Sequence, residues 1–293
     1  MTTCRFFVAG FVLFLSLILF TPSFLFSQNA SPIELGSRLE LFVDNFLIDS
    51  LDRASLVMHH PRDEGEVLKL DYPWEGAFCG YATVIKDGDL YRLYYRGLPK
   101  AGKDGSPNET TCYAESNDGV HWEKPELGIY EIMGRRDNNV ILANAAPATH
   151  NFSPFLDANP AADLNHRFKA LGGTKTTGLF AFVSEDGVYW KKLRQESVFN
   201  DGIFDSQNVA FWSEAEQQYI CYFRTWSKDG YNGWRSVSRA TSPDFIHWSA
   251  AEEMTFGDTQ REHLYTNQTH PYFRAPHLYV AIAARFMPDR QVL

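Results

Sequence analysis

Short apolar runs separated by polar turns are the dominant pattern of this chain. Representative runs are LYRLYYRG at 90–97, QYICYFRTW at 218–226 and HLYVAIAARF at 277–286. They are short and rich in aromatic and β-branched residues, which is typical of β-strands. No convincing long amphipathic helix interrupts them. The pattern therefore predicts an all-β chain.

One turn motif recurs three times along the chain. It reads SNDGVHW at Ser116–Trp122, SEDGVYW at Ser184–Trp190 and, more weakly, SPDFIHW at Ser242–Trp248. The intervals are 184 − 116 = 68 and 242 − 184 = 58 residues, longer than a helical repeat. Ser and Asp side chains can accept from nearby backbone N–H groups, and Gly adopts positive φ. We expect the Trp to fold back as an apolar plug, so the motif is interpreted as structural rather than catalytic.

Each motif closes a unit of similar strands. In the first unit we predict strands at Gly80–Lys86, Leu90–Gly97 and Thr111–Glu115, and a fourth between Trp122 and Tyr130. Asp87-Gly88-Asp89 is the expected hairpin turn. An apolar strand pair is expected upstream, at 39–49.

The later units repeat this order. The second uses 151–157, 166–172 and 179–183, and the third uses 205–212, 218–226 and 234–240. A fourth unit starts near His263 and runs to Phe286. Consecutive four-stranded units predict a β-propeller with three full blades and part of a fourth. A β-sandwich is the alternative, but it would not explain the phase of the three Trp turns.

Composition and charge narrow the function. Aromatic residues make up 15% of the 293 residues, which suits packing between sheets and also clefts that stack on sugar rings. The formal net charge of −9 makes nucleic acid an unsuitable partner. The sequence contains no phosphate-binding loop, nucleophile elbow or His-Glu-x-x-His motif. We predict no cofactor and no metal.

The first 30 residues differ from the rest. Arg5 is followed by an apolar run from Phe6 to Phe20, which predicts a signal peptide at 1–30 or, alternatively, an uncleaved N-terminal anchor. The protein is therefore expected to be secreted or periplasmic, with no other membrane association. Residues 31–293 are expected to form one propeller domain, incomplete at its C-terminus. Three cysteines remain in it, an odd number that argues against a disulfide framework, although a Cys79–Cys112 bridge stays open.

Two phrases carry a resemblance to a known family. SNDGVHWEKPELGIYE at 116–131 and DGDLYRLYYRGLP at 87–99 resemble the first blade of five-bladed propeller glycoside hydrolases of families 32 and 43, which include invertases, arabinanases and β-xylosidases. The resemblance implies a propeller of this five-bladed type and hydrolysis of glycosidic bonds in poly- or oligosaccharides. The Asn-Asp-Pro-Asn-Gly, Arg-Asp-Pro and Glu-Cys signatures of invertases are absent.

Glycoside hydrolysis uses two carboxyl groups, and a third can adjust the pKa of the acid. We expect one acid before the innermost strand of each unit: Glu75 as base or nucleophile, Asp157 as the pKa-setting partner and Asp205 as the acid. The roles of Glu75 and Asp205 are interchangeable at this point. Asp44 and Asp49 are rivals for the first role.

Six further residues are candidates for substrate binding. Arg96 and Arg224 end the second strands of two units, as Arg285 does in the fourth, and would bind carboxylates or sugar hydroxyls. The other candidates lie near the starts of the third and fourth units: Asn208, Tyr265, Asn267 and His270.

The sequence thus predicts an exported glycoside hydrolase-like protein that acts by carboxylate acid/base catalysis. The alternative is a non-catalytic carbohydrate-binding or scaffold propeller, so enzymatic activity is left open. A sialidase fits less well, because its turn motif is one residue longer.

Overall fold

The computed structural model describes residues 32–100 and 102–291. The predicted signal peptide or anchor at 1–30 lies outside these ranges. All strands belong to one compact unit, residues 38–293. Within the described ranges, two short 3-10 turns are the only helical elements, at Ala148–His150 and Leu164–His166, and no helix is long and apolar enough to cross a membrane. The prediction of an all-β chain is confirmed.

Three four-stranded antiparallel sheets follow one another along the chain. The first contains β1 (Gly80–Asp87), β2 (Leu90–Gly97), β3 (Thr110–Ser116) and β4 (Val140–Leu142). The second contains β5 (Ser153–Leu156), β6 (Phe168–Thr174), β7 (Gly178–Ser184) and β8 (Lys191–Lys192). The third contains β9 (Val209–Ser213), β10 (Gln218–Lys228), β11 (Asn232–Ser242) and β12 (Glu252–Glu253). Each sheet has its strands in sequence order.

A fourth unit is present in part. Its strands are β13 (His263–Leu264), β14 (His270–Tyr272), β15 (Ala275–Val280) and β16 (Arg285–Phe286). They pair as two two-stranded sheets, β13 with β16 and β14 with β15. The first strands of the three full units are neighbours, since β1 contacts β5 and β5 contacts β9, and β9 in turn contacts β14, the first strand of the β14–β15 hairpin. First strands that meet in this way are the architecture of a propeller, so the predicted fold is confirmed with three full units and part of a fourth.

Two strand predictions are wrong. The fourth strand of the first unit is β4 at Val140–Leu142 rather than a segment between Trp122 and Tyr130. Pro125 lacks an N–H group and Gly128 has a φ of 65°, so the intervening segment cannot form a continuous ladder. Residues 39–49 form turns and contain no strand, because no facing sheet buries their apolar side chains.

The three turn motifs share the hydrogen bonds of their aspartate, and the first two also share one made by their tryptophan. Asp118, Asp186 and Asp244 each accept from the backbone N–H groups two and three positions later, at 2.8–2.9 Å. The Nε1 atoms of Trp122 and Trp190 donate to the carbonyl of the motif glycine, at 3.0 Å. The Trp122 ring packs against the apolar core of the first unit, whereas the Trp190 ring packs between the first and second units. The motif therefore has the predicted structural role.

Neighbouring units are joined by a repeated side-chain link. In each case a polar residue at the C-terminal end of a first strand bonds to a residue in or just before the second strand of the next unit. The three pairs are Asp87 with Arg167, Asp157 with Tyr219, and Ser213 with Tyr279. These links lie at the end of the first strands opposite to the one where Asp205 precedes β9.

Candidate functional site

Tyr81 connects three of the units at the start of their first strands. Its hydroxyl donates to the backbone carbonyl of Asp205 at 3.4 Å, and its ring lies edge-on to that of His150, with centroids 5.6 Å apart. The Cζ atom of Arg96 lies 4.5 Å from the centroid of the Tyr81 ring. The β1–β2 register shifts between Gly80 and Thr83, and Tyr81 has a φ of 52°. A bulge at the start of β1 therefore sets the direction of this side chain.

The third and fourth units add an ion pair and a second tyrosine. Arg224 on β10 places its Nη1 atom 3.1 Å from Oδ1 of Asp205. Its Cζ atom lies 4.6 Å from the centroid of the Tyr265 ring. Phe204, with a φ of 54°, turns the chain immediately before Asp205. We call the combined group the central cluster, and its members are Tyr81, Arg96, His150, Asp205, Arg224 and Tyr265.

Burial alters the acidity of the cluster. Burial raises the pKa of the Asp205 carboxyl, against the opposing effect of the Arg224 guanidinium, and the negative charge of Asp104 raises it further. Burial also raises the pKa of Tyr81 to about 12. The same cause lowers the pKa of Arg224. Asp205 therefore holds a proton more readily than an ordinary aspartic acid does.

His150 is nearly fully buried and has two neighbours at one ring nitrogen. Its Nδ1 atom lies 3.0 Å from Oε1 of Glu109 and 3.2 Å from Nη1 of Arg96. A carboxylate accepts only and a guanidinium donates only, so Nδ1 can bond to one of them at a time. When Nδ1–H donates to Glu109, Nε2 is left as an acceptor; it lies 3.8 Å from Oδ1 of Asp104. In that tautomer Nε2 is a buried acceptor with no donor among the described residues.

Several buried polar atoms in and beside the cluster have no hydrogen-bond partner in the described part of the chain. Most buried polar groups in native proteins are paired, so unpaired atoms concentrated at one place indicate a ligand site. The atoms are Arg96 Nε, Glu109 Oε2, His150 Nε2, Asp205 Oδ1, Arg224 Nη2 and Arg235 Nε.

Four of the predicted site residues lie together in this cluster: Arg96, Asp205, Arg224 and Tyr265. The other three predicted binding residues are not joined to it by any contact between the described side chains. Asn208 is fully buried beside β9, with neither amide atom paired. Asn267 accepts from Thr269. His270 is half-buried near Phe211, and its partial withdrawal from water lowers its pKa.

Glu75 is completely buried within the first unit. Its carboxylate accepts from Nζ of Lys124 and from the backbone N–H of Tyr72, both at 2.8 Å, and from the hydroxyl of Tyr95. These contacts hold Glu75 in the interior, and none of them leads to Asp205. Its role as base or nucleophile stays a prediction. The rivals Asp44 and Asp49 lie in the exposed segment before β1.

Asp157 lies at the opposite end of its strand from the predicted one. Phe155 and Leu156 belong to β5, so Asp157 follows the first strand of the second unit, whereas Asp205 precedes that of the third. Its carboxylate is paired with Lys169 and accepts from the hydroxyl of Tyr219 at 2.8 Å. The expectation that Asp157 precedes the innermost strand is therefore wrong, because the run 151–157 itself forms that strand and Asp157 follows its last residue.

Four residues in or around the cluster were missed by the sequence prediction: Tyr81, Asp104, Glu109 and His150. His150 could have been found, because it stands before β5 much as Asp205 stands before β9. Tyr81 carries no such signal, since a residue inside a strand gives no indication of a bulge. Asp104 and Glu109 lie in a long loop between β2 and β3, whose path sequence alone does not predict.

Comparisons with known proteins were made by family model, by sequence and by structure. No protein-family model matches the chain. The uncharacterized protein Rv1502 of Mycobacterium tuberculosis H37Rv is 28% identical over 178 residues, which is 58% of this chain and 50% of that protein. The uncharacterized protein MT1551 of Mycobacterium tuberculosis strain CDC 1551 is 29% identical over 178 residues, again 58% of this chain and 50% of that protein. The chain thus spans about half the length of the curated relatives that it matches.

Solved structures with a similar fold include three glycosidases. An α-L-arabinanase of Cellvibrio cellulosa is 11% identical with a TM-score of 0.47, over 76% of this chain and 75% of that one. A β-fructofuranosidase of Schwanniomyces occidentalis is 19% identical with a TM-score of 0.45, over 69% of this chain and 39% of that one. A glycosyl hydrolase of Bacteroides ovatus is 13% identical with a TM-score of 0.44, over 75% and 68%.

Proposed function

We propose that this chain is a glycoside hydrolase-like protein that acts on poly- or oligosaccharides at the central cluster, with Asp205 as the catalytic acid. The supporting observation is the environment of Asp205. Its carboxyl group has a raised pKa and lies where side chains of four units meet, beside buried polar atoms without partners. Its side chain is 22% exposed, so it can still reach a ligand.

The reaction needs a protonated carboxyl group to donate to the leaving oxygen, and a second carboxylate as base or nucleophile. Asp104 fits the second role. Its charge acts on Asp205, its side chain is open to solvent, and it lies beside Nε2 of His150. Tyr265 and Tyr231 present exposed rings that suit the apolar face of a sugar. In this assignment Asp205 transfers the proton and Asp104 acts on the anomeric carbon or on the attacking water.

One observation favours a non-catalytic carbohydrate-binding protein as the second candidate. Two of the three acids predicted from sequence, Glu75 and Asp157, are neutralised by Lys124 and Lys169 and sealed from solvent. Without them, catalysis depends on the Asp205–Asp104 pair alone. A binding protein would need the arginines and tyrosines of the cluster but no proton donor.

The experiment is hydrolysis of a glycan panel, measured as reducing-sugar release by the purified protein, with binding measured in parallel by calorimetry. For an active glycan, Asp205→Asn should reduce turnover at least ~100-fold, because it removes an acid–base group while keeping the side-chain shape. Asp89→Asn, in the exposed β1–β2 turn, is the matched control and should leave turnover unchanged. Binding without hydrolysis would establish the second candidate. A protein that neither binds nor cleaves any glycan would refute both.

Export is part of the proposal and is supported by the apolar run from Phe6 to Phe20 behind Arg5. Fractionation of cells that express the chain with and without residues 1–30 tests it. The full chain should appear outside the cytoplasm and the shortened chain inside. Equal distribution of the two would contradict export.

A further inference from the structure

We infer that the glycan bound at the central cluster carries an acidic group, a carboxylate or a sulfate ester, which is held by Arg96, Arg224 and Arg235. This inference deepens the proposed function and depends on it for the identity of the ligand. It concerns three guanidinium groups contributed by the first and third units.

The first observation is the lack of counter-charges. Most of the other arginines in the described residues form an ion pair with Asp or Glu. Arg96 and Arg235 are half-buried and form none. A guanidinium group withdrawn from water without a partner is costly, so such groups are normally paired. Arg274 and Arg290 form none either, but they are exposed to solvent, so Arg96 and Arg235 are the two half-buried arginines without an ion pair in the described residues.

The second observation is the set of N–H groups left over. Nε of Arg96, Nη2 of Arg224 and Nε of Arg235 are buried and donate to no acceptor in the described part of the chain. Guanidinium N–H groups form a planar fork that matches the oxygens of a carboxylate or sulfate. The unused donors are therefore of the kind that an oxyanion requires.

The third observation is how close the positive charges are. In the β10–β11 register Arg224 lies opposite Val237 and Trp226 lies opposite Arg235, so Arg224 and Arg235 project from the same face of the hairpin. Their Cζ atoms lie 4.6 and 5.7 Å from the ring centroid of Tyr265. The two cations are diagonal neighbours on this face, and only Arg224 has an ion-pair partner, Asp205, among the described residues.

Arg96 approaches from the first unit. The phenol of Tyr81 is influenced by the charges of both Arg96 and Arg224, so it lies within electrostatic reach of both. The carboxyl groups available to oppose the three arginines are Asp205, Asp104 and Glu109. When Asp205 holds its proton, three guanidinium groups face two carboxylates, and one of those, Asp104, is exposed to solvent. The surplus charge is positive, although the whole chain is acidic.

A neutral sugar would use these donors less completely. Hydroxyl groups can accept from arginine, but they do not neutralise a guanidinium charge that burial has made costly. An acidic sugar supplies both the acceptor oxygens and the charge. Its charge would also help Asp205 to keep its proton, which is the form that the proposed acid needs.

Calorimetry with glucuronic acid, glucose 6-sulfate, inorganic sulfate and glucose tests the inference on the intact protein. The acidic sugars should bind at least ~10-fold more tightly than glucose at low salt, and added salt should reduce the preference. Tighter binding of glucuronic acid than of the sulfate ester would identify a carboxylate, and the reverse would identify a sulfate ester. Equal affinity for glucose and both acidic sugars would overturn the inference.

The variants Arg235→Gln and Arg96→Gln test whether these two arginines cause the preference for acidic sugars. Each should lower the preference for the acidic sugar by ~10-fold or more, and Arg235→Lys should retain part of it. Arg194→Gln, at an exposed surface pair with Glu196, removes the same charge elsewhere and should change nothing. Melting temperatures identify any variant that fails to fold, and the second variant then carries the test. Unchanged preference in both folded variants would place the anion elsewhere and overturn the inference.

The outcomes separate this inference from the proposed function. Hydrolysis of neutral glycans as fast as acidic ones would leave the function intact and refute the acidic group. Binding of glucuronic acid or sulfate that depends on Arg96 and Arg235, with no glycan cleaved, would support the anion site and refute the enzyme. Absence of all binding would refute both.

Discussion

Asp205 and Arg224 lie 3.1 Å apart, yet Oδ1 of Asp205 accepts no aligned hydrogen bond. Burial raises the pKa of the carboxyl group and lowers that of the guanidinium group. Both shifts disfavour the charged pair, although arginine remains charged throughout the working range of proteins. The contact therefore restrains Asp205 without fixing it in the ionised state.

The first prediction concerns pH. Asp205 acts as an acid in its protonated form, which predominates below its raised pKa, so kcat/KM should fall as pH rises through that value. Arg224→Gln removes the cation that opposes the shift, so this limb of the profile should move to higher pH. The profile measured with a cleaved glycan, for the native chain and the variant, is the test. A limb that stays in place would show that another group supplies the proton.

The second prediction concerns the buried pair Glu75–Lys124, in which the side chains are 0% and 7% exposed. Lys124→Met leaves a buried carboxylate without its cation and should cost about 3–5 kcal/mol of the free energy of unfolding. Lys69→Met, in an exposed pair with Glu66, should cost only about 0–1 kcal/mol. Urea unfolding measures both. Equal losses would mean that Glu75 is not sealed as described.

The third prediction separates structure from catalysis at Asp157. Asp157→Asn leaves Lys169 without its carboxylate and weakens the link to Tyr219, so it should lower the melting temperature. Turnover by the folded fraction should stay within about threefold of the native value, far from the ~100-fold loss expected when an acid–base group is removed. Loss of turnover at an unchanged melting temperature would restore Asp157 to the active site.

The fourth prediction uses two equivalent glycines. Gly119 and Gly187 have φ values of 78° and 77°, so alanine at either position carries the same backbone strain. A Cβ at Gly119 meets nothing within 4 Å, whereas one at Gly187 would lie 2.6 Å from the Tyr94 hydroxyl. Gly119→Ala should cost about 1–2 kcal/mol of unfolding free energy, which is the strain alone. Gly187→Ala should cost clearly more, and equal losses by urea unfolding would contradict the described packing.

Most of the strand order could be predicted because it depends on local patterns. Apolar runs and turn residues indicated β2 at Leu90–Gly97, and the repeated Ser-x-Asp turns indicated the units. The position of Asp157 relative to its strand was predicted wrongly, because no local sequence pattern marks where a short strand starts. An error of one strand length moves a residue from one end of the unit to the other. Tyr81 and Asp104 were missed because a bulge and a loop path depend on contacts that are distant in sequence. The proximity of Arg96, Arg224 and Asp205 could be predicted because repeated units bring equivalent positions together, and their role in a site stays a prediction.

The links between units use different chemistry at each boundary. An aspartate meets an arginine at the first, an aspartate meets a tyrosine at the second, and a serine meets a tyrosine at the third. If the second unit docked behind the third, Arg167 would meet Ser213 instead of Asp87 and would lose its charged partner. Repetitive chains are prone to such misassembly while they fold. The charged link therefore distinguishes the boundary between the first and second units, whereas the other two boundaries share a tyrosine hydroxyl and could exchange partners.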